Sequence, residues 1–157
     1  MEVQMARPFI NSVKTILQQM TSIDVETEGD FQPENNDIIS YGVTSIINFA
    51  GKVKGRLLLD MEPDLAVDIA GRLTNEAYSS PKEHMVLAAI SEINNIIAGD
   101  ANTFLNNTYG LGLRLTPPVV FTGNKAIISI PKIPSVSIAC RTSSGKLKVN
   151  IAFEGGA

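Results

Sequence analysis

Apolar positions recur along this chain in two rhythms, one helical and one alternating. From Glu2 to Met20, the residues Val3, Phe9, Ile10, Val13, Ile16 and Leu17 fall at helical spacing, with Arg7, Lys14 and Gln18 elsewhere on the circumference. The pattern predicts an amphipathic helix, with Pro8 in its first turn or at a kink, because proline removes a donor and crowds the preceding turn. Glu28 to Asp37 is polar, holds Gly29, Pro33 and two adjacent asparagines, and reads as a loop. Two strand-like stretches follow, Ile39 to Phe49 and Lys52 to Met61, and Ala50-Gly51 between them predicts a tight antiparallel hairpin. Pro63 then opens a shorter helix that carries Leu65, Ile69 and Leu73 on one face and ends near Asn75.

Ser80-Pro81-Lys82-Glu83 combines an N-cap serine, a first-turn proline and a glutamate three residues after the cap, which predicts a helix start. That helix runs to about Tyr109, where Gly110 can take the left-handed conformation that ends helices, and Gly99 is a point where it could bend. Beyond Pro117-Pro118, the segments Val119 to Thr122, Ala126 to Ile130, Ser135 to Thr142 and Leu147 to Phe153 are short and partly alternating. Gly123-Asn124 and Ser144-Gly145 punctuate them, and the second half reads as a β-meander. The expected fold is α+β, a largely antiparallel β-sheet with long helices packed against it. With 157 residues, 44% of them hydrophobic, the chain can bury one substantial core, so one domain over 1–157 is expected.

The long helix carries two stripes. Val86, Ile90, Ile93, Ile97, Ala101 and Phe104 fall at steps of three and four and should face the sheet. Beside them run Ala88, Glu92, Asn95, Gly99, Asn102 and Asn106, all small or polar, so that Glu92 and Asn95 point the same way one turn apart. Spacing alone makes this second stripe a solvated flank. Two features shift it towards function: asparagine is a mediocre helix former, and Gly99 costs roughly 1 kcal/mol against alanine in a helix interior. Small residues also leave room for another molecule to approach.

Charge and the remaining reactive residues narrow the classes. Thirteen basic against sixteen acidic side chains give a net charge of -3, so no overall positive field exists to hold nucleic acid or an anionic bilayer. Cys140 is the only cysteine, which excludes an internal disulfide and a thiolate-rich zinc site. Asn11, Ser12 and Lys14 interrupt what a secretory signal would need, and no later run is long enough to span a membrane. A cytoplasmic protein is expected. His84 has no triad partner in sequence and reads as a partly exposed surface residue. Cys140 sits directly beside Arg141, without the intervening residues of a phosphate-cradling cysteine loop, and reads as a buried apolar-like thiol. Ser143-Ser144-Gly145-Lys146 lacks the earlier glycine of a phosphate loop and is followed by strand residues, so a hairpin turn is expected there.

Glu92-Ile93-Asn94-Asn95, followed at a distance by Pro118, resembles the E-x-x-N plus proline signature of the CheC/CheX/FliY phosphatases. Ile96-Ile97-Ala98-Gly99-Asp100-Ala101 resembles the small-residue continuation of that motif, and the order of elements resembles the family over most of the chain. The family usually has aspartate or serine four residues before the glutamate, where this chain has Ala88. The resemblance implies a phosphatase that hydrolyses phospho-aspartate on a CheY-like response regulator in chemotaxis or two-component signalling. It implies Asn95 and Glu92 as catalytic residues, Glu92, Asn95, Gly99 and Asn102 as partner contacts, and Pro118 as a shaping element. No cofactor is expected on this chain, the magnesium ion belonging to the partner receiver domain. The N-terminal helix shows Phe9-Ile10-Asn11-Ser12-Val13-Lys14 and no second E-x-x-N, so one site per chain is expected, as in CheX-like members, whose resemblance also implies a homodimer. The competing readings are a non-catalytic adaptor that binds a receiver or flagellar-switch component, kept open by Ala88, and a structural dimerisation module.

Overall fold

The amphipathic segment near the N-terminus forms α1 (Val3–Thr21), which buries Ala6, Phe9, Ile10, Val13, Ile16 and Leu17 and keeps Pro8 inside the helix. The computed structural model describes residues 3–123, 125–129 and 133–154, so Glu2, Asn124 and Ile130 of the sequence reading lie outside it. Helix α2 (Pro63–Thr74) starts on its proline and stops at Asn75, which takes the left-handed conformation at φ 57°. Helix α3 (His84–Tyr109) ends at Gly110, at φ 62° and ψ 37°, whose N–H donates to the Asn106 carbonyl. It begins later than the cap signal predicts. The Glu83 carboxylate accepts the Ser79 and Ser80 amides at 2.9 and 3.2 Å, and Lys82 N–H donates to Ser80 Oγ, so the polar exchange closes the turn before the helix.

The strands are β1 (Glu26–Pro33), β2 (Ile38–Ile39), β3 (Val43–Ala50), β4 (Lys54–Met61), β5 (Arg114–Leu115), β6 (Val119–Thr122), β7 (Ile127–Ile128), β8 (Ser135–Thr142) and β9 (Gly145–Glu154). All pairings among them are antiparallel, and the main sheet runs β1-β8-β9-β4-β3-β5, with β6 also on β3 and β2 paired to β7 apart. The expected α+β class with a largely antiparallel sheet is the one observed.

Three local expectations change. The predicted loop over Glu28 to Asp37 contains most of β1, an edge strand with a bulge between Glu28 and Gln32, where Gly29 sits at φ 74°. Only Phe31 of that strand is buried, so its sequence shows little alternation. The first hairpin strand starts at Val43, because Gly42 at φ 145° turns the chain and a Cβ there would stand 2.7 Å from the Pro63 ring; Ile38 and Ile39 pair with β7 instead. The meander is confined to the β8–β9 hairpin. Its turn at Ser143 and Ser144 is tied by Thr142 Oγ1, which accepts the Ser144 and Gly145 amides at 3.1 Å each. By contrast β6 returns to β3 and β7 to β2.

Alternation along β4 sorts the two faces of the sheet. Leu57, Leu59 and Met61 join the core under α1, α2 and α3, whereas Leu58 points to the opposite face with Ile38 and Ile128. Asp60 lies on that opposite face too and is fully buried.

Candidate active site on helix α3

Helix α3 packs on α1 and α2 beside it and on β3, β5 and β6 beneath it. Val86, Ile90, Ile93, Ile97 and Ala101 are buried as the apolar stripe requires. Phe104, assigned to the same stripe, is 54% exposed, and Leu105 is buried in its place. The reason lies in the neighbouring helix: α1 and α3 leave an open groove of about 310 Å³ at Pro8, Ser12 and Asp100, and Phe104 lines its wall. Ser12 Oγ donates to the Asp100 carboxylate at 2.7 Å across the two helices. Neither Glu92 nor Asn95 lines this groove; Glu92 is exposed and Asn95 half-buried on the helix surface, which suits a macromolecular partner.

On the second stripe, Ala88 and Glu92 are exposed, while Asn95 and Gly99 are half-buried. Glu92 and Asn95 are one helical turn apart on the same side. Among the described residues, neither side chain has a hydrogen-bond or ion-pair partner, so both polar groups are available to a visiting molecule. A Cβ on Gly99 would meet only Leu115 Cδ1, at 3.8 Å, an ordinary contact, so packing within this chain does not demand glycine there.

Asn102 and Asn106 stand differently from the rest of the stripe. Asn106 closes the loop after the helix, with Oδ1 accepting the Leu113 amide at 2.7 Å and Nδ2 donating to the Leu113 carbonyl at 3.1 Å. Asn102 is 3% exposed, and neither its Oδ1 nor its Nδ2 has a partner among the described residues. Its amide is therefore covered by its own chain and does not form part of the surface that Glu92 and Asn95 present.

Pro118 is half-buried and interrupts the edge beside β3. Residues Phe49 and Ala50 of β3 pair with β5, and Val43 to Ile46 pair with β6; Thr116, Pro117 and Pro118 span the gap. Thr116 closes it by donating both its N–H and its Oγ1 to the Asn48 carbonyl, at 2.9 and 3.1 Å. Lacking N–H donors, the prolines cannot continue the ladder, and the segment stays beside the helix that carries the motif.

One polar residue of the motif itself escaped the sequence reading. Asn94 is fully buried, and its Nδ2 donates to Ser45 Oγ on β3 at 2.7 Å. Its position could have revealed it, since Ile90, Asn94, Ile97 and Ala101 follow one another at steps of four, three and four.

The remaining reactive residues stay outside the site. His84 is exposed at the helix start. Cys140 is buried, and burial pushes its thiol up to about 11. Among the described residues, no group of three or more His, Cys, Asp and Glu side chains could hold a metal ion, and no helix is long and apolar enough to cross a membrane.

An antiparallel sheet under three helices is the fold of the CheC-like class of α+β domains. The family model described as Chemotaxis phosphatase CheX matches residues 43–141, and the chain belongs to this family, CheX-like within the CheC/CheX/FliY group. A CheC-like superfamily protein from Shewanella sp. PV-4 is 22% identical with a TM-score of 0.89, covering 99% of this chain and 100% of its own. The chemotaxis protein CheX from Desulfovibrio desulfuricans is 21% identical with a TM-score of 0.86, covering 96% and 99%. CheX from Borrelia burgdorferi, solved as a CheX-CheY-BeF3-Mg2+ complex, is 27% identical with a TM-score of 0.78, covering 96% and 97%. No curated protein matches the chain.

Proposed function

We propose that this chain is a phosphatase that hydrolyses phospho-aspartate on a CheY-like response regulator in chemotaxis or related two-component signalling. The observation that carries the reading is the pair Glu92 and Asn95, side by side on an open helix face and without a hydrogen-bond or ion-pair partner among the described residues, in a member of the CheX family. The family relative from Borrelia burgdorferi, which forms a complex with CheY, supports a receiver domain as the partner.

An aspartyl phosphate is an acyl phosphate, already labile towards water, so the catalyst's main task is placement. Asn95 would hold the attacking water, its Oδ1 accepting a water proton in a hydrogen bond while the water oxygen stands in line with phosphorus. The new P–O bond forms as the bond to the aspartyl oxygen breaks; the aspartate carboxylate and inorganic phosphate leave, and the water proton passes to phosphate or solvent. Glu92 would pair with the active-site lysine of the receiver, fixing the register of the two proteins and drawing Asn95 into the phosphorylated pocket. The divalent ion that neutralises phosphoryl charge would be the receiver's own. Gly99 adds room at the contact, and Pro118 shapes its border. We place the protein in the cytoplasm, as a homodimer with one site per chain.

A second reading, a receiver-binding adaptor without catalysis, is favoured by Ala88, which stands where the family usually has aspartate or serine. The two separate in a phosphate-release assay against a panel of phosphorylated receivers. A phosphatase shortens the phosphoryl lifetime of its cognate receiver in proportion to catalytic amounts of the chain. Binding that leaves that lifetime unchanged or longer establishes the adaptor instead.

A further inference from the structure

We propose that the buried hydrogen bond between Asn94 and Ser45 is a positioning device that sets the rotation of α3 and thereby the aim of Glu92 and Asn95. The inference rests on the phosphatase reading and adds a residue pair to it. Asn94 lies between the two candidate site residues in one helical turn, so its direction is rigidly coupled to theirs.

The surroundings make this bond unusual. Ser45 faces the helices from β3, between Val43 and Ile47, and all three are fully buried. On the helix, Ile90, Ile93, Ile97 and Ala101 surround Asn94 with apolar side chains, each 1% exposed or less. Here a polar pair is a poor stabiliser. The 2.7 Å bond satisfies one amide hydrogen, with Ser45 Oγ accepting it, yet among the described residues Asn94 Oδ1 has no partner, and a buried unpaired polar atom carries its full desolvation cost. Replacing both partners by apolar groups of similar shape is nearly neutral or stabilising. What the polar pair supplies is direction: apolar side chains can slide over one another, whereas this hydrogen bond is made at one rotation and height of the helix only.

The strand it chooses also matters. Ser45 pairs with Val120 on β6, the strand that enters directly after Pro118. One bond thus ties the motif turn to the strand framing the proline segment, and the parts of the site drawn from α3 and from the β5–β6 edge share one reference point.

The test is the double variant Asn94→Leu/Ser45→Ala, with Ser45→Ala alone as a milder version that removes a single hydroxyl. Three quantities are measured for each: the thermal midpoint, the affinity for a phosphorylated receiver that the wild type dephosphorylates, and the dephosphorylation rate at saturation. A positioning role predicts a double-variant midpoint equal to or above that of the wild type, and a saturating rate lower by about tenfold or more with a smaller loss of affinity, since small misplacements of reacting groups cost this much. An unchanged saturating rate, or a loss that merely follows a lowered midpoint, overturns it. The side-chain amide signals of Asn95 give a readout independent of activity: one sharp pair in the wild type, shifted, split or broadened in the variants. If the wild type dephosphorylates no receiver, the phosphatase reading falls, and these signals alone decide the positioning role. Asn95 signals identical in wild type and double variant overturn it.

Discussion

Two carboxylates in this molecule are treated in opposite ways. Asp60, on β4, is fully buried and accepts hydrogen bonds from Ser40 Oγ at 3.0 Å, Thr44 Oγ1 at 2.9 Å and the Tyr41 amide at 2.8 Å. Glu92, on α3, is exposed and has no partner among the described residues. Asp60 is consumed by its own fold, since its bonds knit the start of β3 and the approach to it onto β4. Glu92 contributes no hydrogen bond or ion pair to the fold among the described residues, and its value lies in what another molecule can offer it. A carboxylate saturated by its own chain is a structural element, and one left open beside an open amide is the better candidate for chemistry or recognition.

The sharpest way to break this contrast is to truncate each acid and read stability and binding separately. Asp60→Ala strands buried donors and should cost about 3 kcal/mol in denaturant unfolding. A loss below about 0.5 kcal/mol would show that the network is not holding the fold. Glu92→Lys should leave unfolding unchanged and weaken receiver binding about tenfold or more, with reversal of the receiver lysine restoring association. Equal binding by wild type and variant would remove the ionic contact.

Two smaller effects sharpen the comparison. Burial pushes the Asp60 carboxyl above its ordinary 3.8, outweighing the bonds to Tyr41, Thr44 and Ser40 and the nearby Lys148, which pull it down. A raised carboxyl binds its proton more tightly when folded, so its contribution to stability is greatest below pH 3.8 and declines as pH rises through its folded value. Asp60→Asn should abolish that decline, its stability rising relative to wild type as pH increases above 3.8. A difference that stays flat or runs the other way contradicts the assignment. Smallest of all, Ala88→Asp restores the residue type usual in the family at an exposed position and should shift stability by less than about 0.5 kcal/mol. Phosphate release by the same variant measures what that position adds to activity.

How far the sequence reached follows the same division between local and non-local causes. The helices were legible because their signals are local: a three-and-four rhythm, Pro63 at the start of α2, and Gly110 at the end of α3. Glu92, Asn95 and their shared direction were legible for that reason. Strand β1 was not, because an edge strand that buries only Phe31 looks polar, and the return of β6 to β3 was not, because pairing across more than seventy residues leaves no local trace. Asn94, Asn102 and Phe104 mark the limit most clearly. Residue type makes the asparagines surface and the phenylalanine core; burial of both asparagines within the fold and the gap beside α1 reverse all three.

The most direct measurement is the lifetime of a phosphorylated receiver in the presence of Asn95→Ala, alongside its affinity for the same receiver. The account predicts a lifetime close to the spontaneous one with association retained, since Glu92 still docks while the water loses its holder. Acceleration equal to that of the wild type would contradict it, because the amide would then have no part in the reaction.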